Sequence, residues 1–215
     1  MKKIIVALIL IITVSLYAFE APKVARLHYD GGGDWYNDRD VVPNIVTFLN
    51  NNIHSDFSKE QAEVKPSDKR IFDFPFVFMT GHGNISFSDS DIKNLRDYLN
   101  KGGFIYADDD YGMDKAFRRE IKKLYPQKNL IELSIDHPIF HCFYDFKKGI
   151  PKIHKHNDKR PQAFAIFDDN GRMILLYTYE TNITDGWSDM HNDPFKIRSQ
   201  ALKMGANIFY YLFTH

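Results

Sequence analysis

Apolar positions along the chain fall into short unbroken runs and helical stripes that alternate with one another. Val24 to Tyr29 reads as a first strand, closed by Asp30-Gly31-Gly32-Gly33. Val42, Ile45, Phe48 and Leu49 recur at three- and four-residue spacing, which predicts a helix beginning after Asn37 or Asp38. Pro43 suits its first turn, where a missing donor costs nothing. Gln61 to Val64 reads as a short second strand. Phe76 to Met79 is wholly apolar, the mark of a central strand covered on both faces, and runs into Thr80-Gly81-His82-Gly83. Ser88 with Asp91 predicts a capping box, with Asp in place of Glu, opening a helix whose inner face is Ile92, Leu95 and Leu99. Gly102-Gly103 ends it. Phe104 to Ala107 is another buried strand, left through Asp108-Asp109-Asp110-Tyr111-Gly112. A helix with Ala116, Phe117, Ile121 and Leu124 inward follows, and then a strand at Leu130 to Leu133.

Beyond this point the rhythm changes. Residues 134–162 read as a long surface excursion carrying Lys147, Lys148, Lys152, Lys155, Lys159 and Arg160, a basic cluster of the kind that solvent normally surrounds. Ala163 to Phe167 and Met173 to Thr178 are strands joined by Asp168-Asp169-Asn170-Gly171, a hairpin signal. Tyr179 to Asn192 is irregular, and Asp193 and Pro194 are the expected N-cap and first residue of a last helix lined by Ile197, Ala201, Met204, Ile208 and Leu212. This alternation predicts a three-layer α/β domain with a mainly parallel sheet and an antiparallel hairpin near one edge.

Charge narrows the function classes. The 215 residues hold 28 Lys plus Arg and 28 Asp plus Glu, a balance that argues against a nucleic-acid binder. Cys142 is the only cysteine, so no intramolecular disulfide can form, and its apolar neighbours suit a small buried hydrophobe. Lys2 and Lys3, the apolar run from Ile4 to Leu16 and Ala18 read as a secretory signal peptide over residues 1–18, leaving 19–215 as one domain. The apolar run falls short of the roughly 20 residues that span a bilayer. The expected location is the periplasm or the exterior. The alternative is an uncleaved N-terminal anchor in the cytoplasmic membrane, which would be the one membrane contact.

Several unusual stretches occur in a familiar order: Arg26 to Asn37, the helix–Gly-Gly–strand segment running into Asp108-Asp109, His137-Pro138-Ile139-Phe140, Asp185-Gly186-Trp187, and Ala201 through Asn207 to Thr214. Together they resemble the bacterial DUF4159 family, a domain of unknown function, over about residues 23 to 214. That family is similar to the class I glutamine amidotransferase-like superfamily, which implies a flavodoxin-like sheet. In true amidotransferases of this fold a cysteine occupies the tight turn after a central strand. Here the resemblance puts Asp109 in that place, and a carboxylate cannot replace a thiolate in forming a thioester-type intermediate. Glutaminase activity is not expected.

In such a sheet, ligands bind beyond the carboxyl ends of the strands. Asp30, Gly31, Gly32, Gly33, Asp34 and Trp35 fall there and would form either a backbone nest for a ligand or a tight turn capped by Trp35. Asp108, Asp109 and Asp110 place three consecutive carboxylates at the next strand end, where they would cap a helix or hold a divalent cation. His82, Asp109 and His137, with Asp108, are candidates for acid–base or metal chemistry. Asp185 and Trp187 would form a packed turn or part of a ligand rim, whereas His154, His156 and His191 lie in polar loops and read as solvated. Two functions follow. One is a non-catalytic envelope module that binds a protein or glycan partner through a degenerate amidotransferase-like cleft. The alternative is a metal-assisted or acid–base hydrolase acting on an envelope glycan or peptide.

Overall fold

The computed structural model describes residues 20–215, so the expected signal segment lies outside the described residues. Strands β1 (Val24–Leu27), β2 (Ala62–Val64), β3 (Phe76–Met79), β4 (Ile105–Asp108), β5 (Ile131–Glu132), β6 (Gln162–Phe167) and β7 (Met173–Tyr179) form one sheet in the order β2-β1-β3-β4-β7-β6-β5. The first five in that row are parallel and follow the flavodoxin-like order. β6 runs antiparallel to β7, and β5 antiparallel to β6. The hairpin turn between β6 and β7 uses Gly171 at φ +84°, a conformation that Asn-Gly supplies cheaply.

Helices α1 (Val41–Asn52) and α4 (Phe195–Thr214) cover one face of the sheet, and α2 (Asp89–Asn100) and α3 (Asp114–Leu124) cover the other. Strand alternation divides the core accordingly. Phe76, Phe78, Tyr106 and Leu176 face α1 and α4, while Val77, Ile105, Ala107 and Tyr177 face α2 and α3. The capping box of α2 is present: the Ser88 hydroxyl accepts from Asp91 N, and the Asp91 carboxylate accepts from Ser88 N at 2.9 Å. No helix among the described residues is long and apolar enough to cross a membrane.

Two local expectations change. The 130–133 segment does not continue the parallel alternation. β7, buried from Met173 to Thr178, takes the covered place beside β4, and β5 is left at the antiparallel edge with Ile131 56 % exposed. Helix α1 opens at Val41, after the loop of residues 35–38 that Arg26 holds, in keeping with its apolar stripe. Helix α4 begins at Phe195 with Pro194 at the N-cap position, and Asp193 makes no cap. Its carboxylate is engaged elsewhere.

Candidate metal centre

The loops after β1, β4 and β7 meet at the carboxyl rim of the sheet. Arg26 is buried beneath the first of them, and its guanidinium donates to the carbonyls of Trp35, Asn37 and Asp38. This clamp fixes Asp38 with a left-handed backbone, φ 53°, and turns its carboxylate inward. Asp110 follows β4. Asp185 sits in a 3-10 turn after β7, secured by Trp187, whose indole Nε1 donates to Ala201 O at 2.9 Å. Gly186 leaves no room for a side chain: a Cβ there would lie 2.9 Å from Ile153. The excursion before β6 is tied to the same place by Ile153 N, which donates to Thr181 O at 2.8 Å and delivers the next residue, His154.

The result is a concentration of metal-binding donors. Ligand atoms of His154, Asp185 and His191 all lie within 4.8 Å of one another. Asp38 Oδ2 is 2.8 Å from His191 Nε2, and the carboxyls of Asp38 and Asp110 both reach Asp185. His154 presents Nδ1 to Asp185 at 3.2 Å and Nε2 to both oxygens of Asp193 at 3.0 Å. Asp193 thus holds the imidazole from behind, in the manner of a carboxylate supporting a metal-bound histidine.

The electrostatics show charges forced together. Burial, Asp185 and Asp108 push the Asp110 carboxyl well above the usual range. Burial likewise raises Asp38, against the opposing pull of His191. For Asp185, burial acts upward too, but hydrogen bonds from His154, Asp110 and Asn182 outweigh it and hold the group at about 2. His154 is raised to about 9, first by Asp185 and then by Asp193, with burial opposing. Asp185 Oδ1 is buried without a hydrogen-bond partner. An orphaned carboxylate oxygen beside imidazoles and further carboxylates fits a divalent cation, which would supply the missing partner and neutralise the cluster.

Strand geometry separates the three consecutive aspartates. Asp108 and Asp109 point to opposite faces, as neighbours on a strand must. Asp108 is fully buried and accepts from Thr178 Oγ1, Thr181 Oγ1, Thr184 N and Thr184 Oγ1. Asp109 turns to the α3 side, accepts from Met113 N at 2.9 Å, and is raised to about 7, chiefly by burial. Of the three, Asp110 alone reaches Asp185. The expected grouping of His82, Asp109 and His137 does not assemble. His137 packs against Phe140, Phe167 and Tyr211 at the opposite rim, because Phe167 ends a strand antiparallel to β7.

His82 does lie on the carboxyl rim, bridged through its backbone to Tyr111, and its Nδ1 pairs with Asp34 Oδ2 at 3.0 Å. The glycine loop is zipped to residues 82–86. Gly33 N donates to Asn84 O, Asp34 N to His82 O, and Asp30 O accepts from Ser86 N. Gly31 packs against the backbone of Ile85 and Ser86, whereas Gly32 stands clear. With the N–H groups of Gly33 and Asp34 already used, the loop acts as a brace more than as an anion nest. Trp35 stacks on His28 at 3.7 Å. Trp187 is core, not rim.

His154 and His191, expected to be solvated in polar loops, are instead part of the donor cluster. The signal that would have found them is the density of Asp and His in 185–193, together with His154 in an otherwise polar excursion.

A family model described as "Domain of unknown function (DUF4159)" matches residues 23–213. The chain belongs to the DUF4159 family. The strand order of this DUF4159 domain accords with a class I glutamine amidotransferase-like arrangement, with Asp109 on the turn after β4 and no thiol there. Cys142 lies far along the chain from that turn, is half-buried, and is pushed up to about 11, chiefly by burial. No curated protein matches the chain.

Proposed function

We propose that this DUF4159 domain is a divalent-metal-dependent hydrolase of the cell envelope, acting on a glycan or peptide. The observation that carries the reading is the convergence of His154, Asp185 and His191 within 4.8 Å at the carboxyl rim. Asp38 and Asp110 extend that set. Two imidazoles with carboxylates suit Zn²⁺ or Mn²⁺ better than Mg²⁺ or Ca²⁺, which prefer all-oxygen sites. A cation held there supplies Lewis acidity and lowers the pKa of a bound water. The protein supplies the rest. Asp193 orients His154, and Arg26 fixes the loop that carries Asp38. His82, its Nδ1 engaged by Asp34 and its side chain 44 % exposed, would serve as the proton shuttle in this reading. Tyr36 and Tyr111, 57 % and 49 % exposed, follow Trp35 and Asp110 directly and offer ring faces on which a sugar would stack. Export through residues 1–18 would bring the site to envelope polymers.

The test is a titration of the purified domain with Zn²⁺ and Mn²⁺, followed by calorimetry and thermal melting. An ion at 100 times its Kd contributes about 2.7 kcal/mol, a rise in Tm of roughly 5–10 °C for a chain of this size. His154→Ala and Asp185→Asn should abolish that rise. Failure to bind either ion refutes the metal reading. Binding without hydrolysis of peptidoglycan fragments or model esters, but with retention of those fragments, would instead support the non-catalytic ligand-binding module.

A further inference from the structure

The six basic residues of the 134–162 excursion are not alike. Lys152 and Lys159 face Glu180 at 3.4 and 3.6 Å, Lys155 pairs with Asp158 at 3.0 Å, and Arg160 with Glu132 at 2.6 Å. Lys147 and Lys148 have no such carboxylate among the described residues. Both line an open cleft of about 680 Å³ between the excursion and helix α4, and Lys203 of α4 meets them from the far wall. Lys203 also has no acid partner among the described residues, and its ammonium lies 5.3 Å from the centre of the Tyr144 ring. The cleft has an apolar lining built from Phe146, Ile150, Pro151 and Pro161. Its one acid, Asp145, is already occupied by His141 Nδ1 at 2.7 Å.

A volume of this size suits a small ligand. Three ammonium groups without counter-charges beside an apolar lining select for a molecule with two ends. We propose that this cleft binds an anionic amphiphile, one phosphate or carboxylate head on an apolar body, taken up as a single molecule. The head would be met by Lys147, Lys148 and Lys203, and the body would cover Phe146, Ile150 and Pro161. Lys152 also lines the cleft, but its ammonium is already held by Asn157 O, Lys159 O and Glu180, and the paired Lys155, Lys159 and Arg160 lie outside the lining. None of the residues that meet the ligand belongs to the metal centre, so the proposal stands apart from the hydrolase reading.

The experiment is calorimetry with dodecyl phosphate below its micellar concentration, run on the full chain and on Lys148→Glu/Lys203→Glu. Both side chains are exposed, and urea unfolding checks that the variant folds. Dodecyl phosphate should bind the parent chain, and the double charge reversal should weaken binding by about tenfold or more. Dodecanol and inorganic phosphate should each bind far more weakly than the combined molecule. Three results would overturn the proposal. One is no binding of dodecyl phosphate, and a second is equal affinity for parent and folded variant. The third is capture on phosphatidylglycerol vesicles without uptake of the monomer, which would mark a membrane-facing patch instead of a cleft.

Discussion

Replacing Asp108 separates its role from that of its neighbours. Asp108→Ala removes the acceptor of four buried hydrogen bonds. Two of those donors have other outlets: Thr178 Oγ1 lies 3.0 Å from the Tyr106 hydroxyl, and Thr184 Oγ1 lies 2.8 Å from Thr80 Oγ1. Thr184 N and Thr181 Oγ1 have none and would be stranded. At about 1–3 kcal/mol for each buried orphan, the loss is about 2–6 kcal/mol, trimmed by relief of repulsion with Asp110 and Asp185. A net fall of about 3–4 kcal/mol corresponds to roughly 10 °C in Tm for a domain of this size. Asp108→Asn should cost much less, about 1 kcal/mol, because its carbonyl oxygen can keep Thr184 N while its amide donates to the hydroxyls of Thr178 and Thr181. Urea unfolding and thermal melting give the stabilities, and Zn²⁺ calorimetry gives the affinities. Asp108→Asn should bind metal within about threefold of the parent. If Asp108→Ala kept its stability within about 1 kcal/mol while metal affinity fell tenfold, Asp108 would be a ligand and the structural assignment would be wrong.

Three further outcomes are expected. Gly205→Ala gains about 1 kcal/mol of helix propensity, but its Cβ would lie 2.6 Å from Ile45 Cδ1 and 2.8 Å from Trp187 Cζ2. Overpacking at that α1–α4 contact should win by about 1–3 kcal/mol, measured by urea unfolding. Glu120 is buried; burial acts to raise its carboxyl, but Lys123, Phe87 N and Arg119 outweigh it and leave it below the ordinary glutamate value of 4.5. Because its folded pKa is depressed, its contribution is full above pH 4.5 and is lost as pH falls through the lower folded value. Glu120→Gln should therefore lose less stability than the parent between pH 5.5 and 3.5 in paired unfolding curves. Cys142, raised by burial to about 11 from an ordinary thiol value of 9.0, carries on the order of 100-fold less thiolate at neutral pH than a free thiol. Its reaction with a maleimide should be slower in proportion, and rapid labelling of the folded chain would contradict the packing described.

Short-range patterns settled much of the scaffold. The unbroken apolar runs at 76–79 and 104–107 could only be covered strands, the Ser88/Asp91 box could only open a helix, and Asn170-Gly171 made a hairpin, because each outcome is dictated by neighbours a few residues away. The same local logic carried the carboxyl-rim expectation for the glycine loop, His82 and Asp110. It could not say which way consecutive side chains turn at a strand end. That alternation sends Asp109 toward α3 and leaves Asp110 in the cluster. Nor could it reach His154 and His191, which lie in irregular loops, or show that Asp185, in its 3-10 turn, meets them. Their meeting depends on long-range ties: Ile153 to Thr181, Trp187 to Ala201, and Arg26 to the loop of Asp38. The sequence by itself determined the layers, since burying apolar surface is decided by periodicity. Tertiary structure alone decided the donor set, since a metal centre is a matter of distances between residues that no local pattern relates.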